Sequence, residues 1–107
     1  MGMPFHTSIA AAKGAVESFA KALAAEYAPK IRVNVIAPSL TDTPLADKFL
    51  NSDAKKEKSA ERHPLKKVGT SEDMAQMASF LLSDKSSWIS GQIFHVDGGM
   101  STLLVNG

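Results

Sequence analysis

The chain has 107 residues, 44% of them hydrophobic, no cysteine, and a formal net charge of +1 with the two signs interspersed. That length allows one small domain, and the charge leaves no electrostatic footprint for nucleic acid or an anionic membrane. Without cysteine there is no disulfide, thiol nucleophile or thiolate metal site, which suits a reducing, cytoplasmic compartment.

No apolar run approaches the roughly 20 residues of a membrane span. The start, Met1-Gly2-Met3-Pro4-Phe5, lacks the basic-then-apolar order of a signal peptide. Along the chain, spacings of three and four between Ile9, Ala12, Val16, Phe19, Ala20, Leu23 and Tyr27 predict a helix over 8–27, with those residues as its buried stripe. Thr7 or Ser8 can cap its start, and Pro29 disfavours helical geometry just before it. Residues 31–37 are rich in β-branched side chains and bounded by Pro29 and Pro38, which predicts a largely buried strand. In 38–44 turn formers are too dense for a regular element. Residues 45–62 mix Leu45, Phe49 and Ala54 with the solvated run Lys55-Lys56-Glu57-Lys58, and read as one or two short helices.

After the break at His63-Pro64, Thr70 and Asp73 stand in capping-box order ahead of a stripe of Met74, Met77, Ala78, Leu81 and Leu82, a second long helix. Residues 88–91 form a turn, 92–96 a second strand stopped by Asp97-Gly98-Gly99, and 100–107 a tail that is partly strand-like or frayed. Two strands joined through a crossover helix pair in parallel, and parallel strands are normally covered on both faces. A sheet of two strands is poorly stable alone, and the first helix has no strand before it. The chain therefore reads as part of something larger.

Three segments together are recognisable: Lys13-Gly14-Ala15, the run from Ile31 through Asn34 to Pro38, and Ser90-Gly91-Gln92 through Asp97-Gly98-Gly99. In this order and spacing they resemble the C-terminal part of a short-chain dehydrogenase/reductase. The resemblance covers nearly the whole chain. It implies an α/β fold, with residues 1–107 as a partial Rossmann-like domain: the C-terminal portion of a doubly wound parallel sheet, with about two strands and two to four helices.

The resemblance also implies chemistry. Family members carry Tyr-x-x-x-Lys on the helix before the penultimate strand. Residues four apart lie side by side on a helix, so the lysine ammonium favours the phenolate and lets the tyrosine exchange a proton with substrate oxygen. Lys13 matches that lysine as the catalytic position and as a contact to the nicotinamide ribose. Ile9 occupies the tyrosine position and has no proton to exchange. Tyr27 lies roughly four to five turns farther along and is no substitute. The family's Pro-Gly loop is Pro38-Ser39 here, with Thr43 at the position of the threonine that contacts cofactor. Lys13, Ile36, Ser39 and Thr43 are the implied cofactor-binding residues. The glycines at 2, 14, 69, 91, 98, 99 and 107 make no G-x-G-x-x-G, so the family's phosphate loop is not found here; by the same resemblance the family's catalytic serine is also missing.

The implied cofactor is NAD or NADP in a full-length context, with none held by this chain alone. The implied partners are a carbonyl or alcohol substrate if the protein is active, and a homo-oligomer or the absent N-terminal half; nucleic acid and membrane are not expected. His6, His63 and His95 lack metal-ligand spacing and read as structural or surface residues. Three functions stay open: a segment of an active oxidoreductase, a non-catalytic dinucleotide-binding or assembly relative, and a small oligomerising interaction module.

Overall fold

A computed structural model describes residues 7–39, 41–42 and 50–105, with backbone alone for 7–10 and 41–42. Helix α1 spans Thr7–Tyr27, as its alanine-rich sequence favours. It stops ahead of Pro29, where Ala28 N–H still bonds Ala24 O at 3.1 Å and Ile31 N–H bonds Tyr27 O at 3.0 Å. The predicted stripe on this helix is corrected. Among its described side chains only Ala20 and, outside that stripe, Ala24 are buried, while Val16 and Phe19 are 57% and 65% exposed. No described element covers that face.

Strand β1 (Val35–Pro38) pairs in parallel with β4 (Ile93–Val96), from Val35 opposite Ile93 to Pro38 opposite Val96. The parallel pair is as expected, but β1 begins four residues later than the predicted 31–37. The polar residues inside that run turn their bonds elsewhere. Arg32 reaches the segment after the second long helix, Asn34 Nδ2 donates to Ile89 O at 3.1 Å, and Val33 N–H donates to Ser90 Oγ at 3.1 Å. Side-chain bonds thus replace part of the ladder here, while Gly91 N–H still donates to Val33 O at 2.8 Å.

The segment 38–44, expected to be irregular throughout, contains a two-residue strand β2 (Thr41–Asp42) that pairs in parallel with β3 (Gly69–Thr70). Helix α2 (Asp53–Glu61) follows, its start capped by Ser52 Oγ accepting from Lys55 N–H at 3.2 Å. Helix α3 (Ser71–Leu82) has the expected capping box: Asp73 N–H donates to Thr70 Oγ1 at 3.1 Å and Thr70 N–H to Asp73 Oδ2 at 2.9 Å. Its stripe is partly corrected, since Leu81 is buried but Leu82 is 86% exposed. A 3₁₀ turn at Asp84–Ser86 leads toward β4.

The described apolar core is small: Ala20, Ala24, Leu50 and Leu81. The chain exposes 8220 Å², against roughly 5,800 Å² for a compact monomer of 11.4 kDa. Its radius of gyration is 15.7 Å, where about 13 Å is usual for this length.

Candidate functional site

Two concavities contain residues expected at the cofactor site. The first, of about 260 Å³, lies between α1 and β1 and is walled by Lys13, Val16, Glu17 and residues 35–38. The parallel pairing with β4 fixes β1, and the rigid helix carries Lys13 on its exposed side. The result is one amine, Lys13, and one carboxylate, Glu17, beside an apolar wall formed by Val16, Val35, Ile36 and Pro38. Such a surface suits one hydrogen-bonding contact to a hydroxyl-bearing group whose flat body lies on hydrocarbon.

Ile9 stands four residues before Lys13 on α1, so the two positions are neighbours on the helix surface, about 6 Å apart along the axis. The Ile9 side chain lies outside the described set, as does Thr43 altogether. Of the residues expected to hold cofactor, Lys13 and Ile36 share this concavity. Ser39 does not: it faces the second one.

That second concavity, of about 230 Å³, opens at the C-terminal ends of β1 and β4 and includes Ser39, His63, Leu65, Met74, Val96 and Asp97. His63 is 2% exposed. Its Nε2 lies 2.9 Å from Ser39 Oγ and its Nδ1 2.8 Å from Ser59 O. The sequence singled out Ser39 but read His63 as an unremarkable structural or surface residue. No local signal joins two positions 24 apart; only the fold does.

Two carboxylates border this opening. Asp97 closes the turn after β4, accepting from Gly99 N–H at 2.9 Å and from Ser101 N–H at 3.1 Å. Partial burial pushes its carboxyl up, but the Ser101 hydroxyl, these backbone donors and nearby His95 outweigh that and hold it below the ordinary value. Asp73 is also held low, first by the Thr70 backbone N–H, then by the Thr70 side chain and Lys67, whose Nζ is 3.7 Å away. Among the described residues no three histidine or acidic side chains gather as a metal site, and no helix is long and apolar enough to cross a membrane.

Comparison with known proteins places this architecture. The family model described as enoyl-(acyl carrier protein) reductase matches residues 1–101. Among curated relatives, the inactive 2-(S)-hydroxypropyl-CoM dehydrogenase 2 of Xanthobacter autotrophicus is 42% identical over 108 residues, covering 96% of this chain and 47% of its own length. The 3-oxoacyl-[acyl-carrier-protein] reductase of Chlamydia trachomatis is 48% identical over 101 residues, covering 94% of this chain and 40% of its own length. Among solved structures, a gluconate 5-dehydrogenase from Burkholderia cenocepacia in complex with NADP and tartrate superposes with a TM-score of 0.84 at 30% identity, over 97% of this chain and 41% of the other. The chain thus spans less than half the length of each of these proteins, and has the Rossmann-like α/β fold of that group. From the match over residues 1–101 and the relatives around it, the chain belongs to the short-chain dehydrogenase/reductase family.

Proposed function

We propose that this chain contributes the nicotinamide end of a dinucleotide site, as the C-terminal portion of a short-chain dehydrogenase/reductase, and that it binds cofactor there without the usual proton relay. The observation that carries the reading is the concavity in which Lys13 meets the apolar wall of Val16, Val35, Ile36 and Pro38, with Ile9 one helical turn before the lysine. The residues fit that end of the cofactor: the ammonium can donate to ribose hydroxyls, and the hydrocarbon wall can lie against a planar ring. They do not fit the pyrophosphate end, because the sequence has no glycine-rich turn to bring backbone N–H groups to it.

A bound nicotinamide supplies hydride chemistry. What this chain supplies is binding and orientation. Lys13 has no phenol beside it to hold as phenolate, and Ile9 can neither give nor take a proton. The relative whose name includes the word inactive, 42% identical, agrees with a family member that keeps the fold and loses turnover. The bare face of α1, where Val16 and Phe19 are exposed, supports assembly with further sheet, either another portion of a longer polypeptide or a partner chain.

The test joins this chain to a glycine-rich family half and titrates NADH and NADPH. Saturable binding with no carbonyl reduction is expected. Turnover at rates ordinary for the family would overturn the non-catalytic reading, and absence of binding to the joined protein would overturn the cofactor reading. Ile9→Tyr should raise reduction from that baseline if the remainder of the site is complete.

A further inference from the structure

The segment 62–66 follows α2 and folds back over the ends of both strands of the main sheet. Its own turn is closed by backbone bonds, His63 N–H to Ala60 O at 3.1 Å and Lys66 N–H to His63 O at 2.8 Å. The His63 ring is therefore not needed to make the turn. It is nevertheless among the most buried side chains described, at 2% exposure, beside Ser59 at 6%.

The hydrogen-bond chemistry sets the ring's form. Nδ1 lies 2.8 Å from the Ser59 carbonyl, which can only accept, so Nδ1 carries the proton. In the neutral ring Nε2 is then an acceptor, and the Ser39 hydroxyl donates to it across 2.9 Å. A continuous chain runs from the Ser39 hydroxyl through the imidazole to the last turn of α2. The same segment makes a second tie: Leu65 N–H donates to Gly98 O at 3.0 Å, in the turn after β4. One side-chain bond and one backbone bond thus fasten residues 62–66 to the ends of β1 and β4 together.

We propose that His63 is a positioning residue that ties Ser39, the residue that follows β1, to the last turn of α2, so that the end of the strand and the helix move as one body. In open parallel sheets ligands sit outside the carboxyl ends of the strands, which is where Ser39 and Asp97 stand. The functional part of the inference rests on the cofactor reading above. The ring acts by geometry: with a partner at each nitrogen, it holds Ser39 in place and offers nothing to a ligand directly.

The experiment uses the chain and two variants, Ser39→Ala and His63→Asn. Asparagine can keep a donor near the Nδ1 position while losing the reach to Ser39. Amide exchange is read at Leu65 and Lys66, whose N–H groups bond Gly98 and His63. Ser39→Ala should speed exchange at these distant amides by about three- to tenfold, the effect of one lost hydrogen bond. The double variant should be no faster than the faster single one. Nitrogen-15 spectra of the parent should show His63 protonated at Nδ1. Parent-like exchange at Leu65 and Lys66 in Ser39→Ala, additive effects of the two changes, or the opposite tautomer each overturn the proposal. If His63→Asn fails to fold, the Ser39→Ala exchange and the parent spectrum decide it. In the joined protein both variants should weaken NADH binding by a similar factor. A joined parent that does not bind NADH, but whose exchange remains coupled, would overturn the cofactor reading and leave the coupling of strand end and helix standing.

Discussion

Arg32 holds Ser86 by two of that residue's groups at once: its Nη1 lies 2.9 Å from both the Ser86 carbonyl and the Ser86 hydroxyl. The same guanidinium donates to Ile89 O at 3.3 Å, and through Nη2 to Leu81 O at 3.1 Å and Ser83 O at 3.3 Å. One cation therefore meets the orphan carbonyl of Leu81 and that of the C-cap residue Ser83, and complements the negative end of α3. Ser86, fully buried, completes the cap by donating to Leu81 O at 2.8 Å.

Replacing Arg32 with methionine should lower folding stability by about 3 kcal/mol, because several partly buried carbonyls lose their donors together. Ser86→Ala should cost about 1 kcal/mol, since the arginine keeps its remaining carbonyl partners. Urea unfolding checks both, and the midpoint should fall with an unchanged slope.

Glycines at two positions should respond in opposite senses to alanine. Gly99 has φ +85°, and a Cβ there would lie 2.8 Å from Leu103 Cδ1 and 3.2 Å from Pro64 Cβ. Gly99→Ala is expected to destabilise by about 1–3 kcal/mol from backbone strain and contact. Gly14 is helical, and a Cβ there would have no described atom within 4 Å, so Gly14→Ala should stabilise by about 0.5–1 kcal/mol. Thermal melts of the two variants against the parent give the signs.

Acid should destabilise the fold through two carboxylates. Asp73 and Asp97 both have pKa values lowered in the folded state from the ordinary 3.8. A depressed carboxyl contributes stability that is present above the unfolded value and is lost as pH falls through the folded one. The melting temperature should therefore decline from about pH 5 downward and keep declining below 3.8, with no corresponding change from these groups on the alkaline side. Asp97→Asn should flatten part of that slope, which a series of melts between neutral and strongly acid pH measures directly.

Lys13 offers the sharpest check on the cofactor reading. In the joined protein, Lys13→Met should weaken NADH binding by about tenfold, the contribution of a charge-assisted hydrogen bond, while leaving the unfolding midpoint within about 0.5 kcal/mol, because the side chain is exposed. Fluorescence titration of NADH gives the first number and urea unfolding the second. Unchanged affinity would remove Lys13 from the site.

Local physics made much of the fold legible. The alanine-rich α1, the Thr70 and Asp73 capping box of α3, and the parallel pairing of two β-rich segments all follow from interactions within a few residues or from a repeated pattern. Where the sequence misled, distant bonds won. Asn34 was placed inside a strand, yet it exchanges bonds with Ile89 and Gln92, 55 and 58 residues away. Val16 and Phe19 carried a helical stripe, yet periodicity states only which face is apolar and not whether anything lies against it.

The family was legible in three motifs taken in order, and the reading of Ile9 as the position of the missing tyrosine rests on sequence too, because side-chain identity on a helix face needs no coordinates to be read. Tertiary packing alone shows that Lys13 and Ile36 share one concavity while Ser39 lines another, and that His63 is buried against Ser39. Burial and hydrogen-bond partnership depend on which segments the parallel sheet brings together across tens of residues, a choice made by the summed packing of the whole fold and not by any short stretch of it.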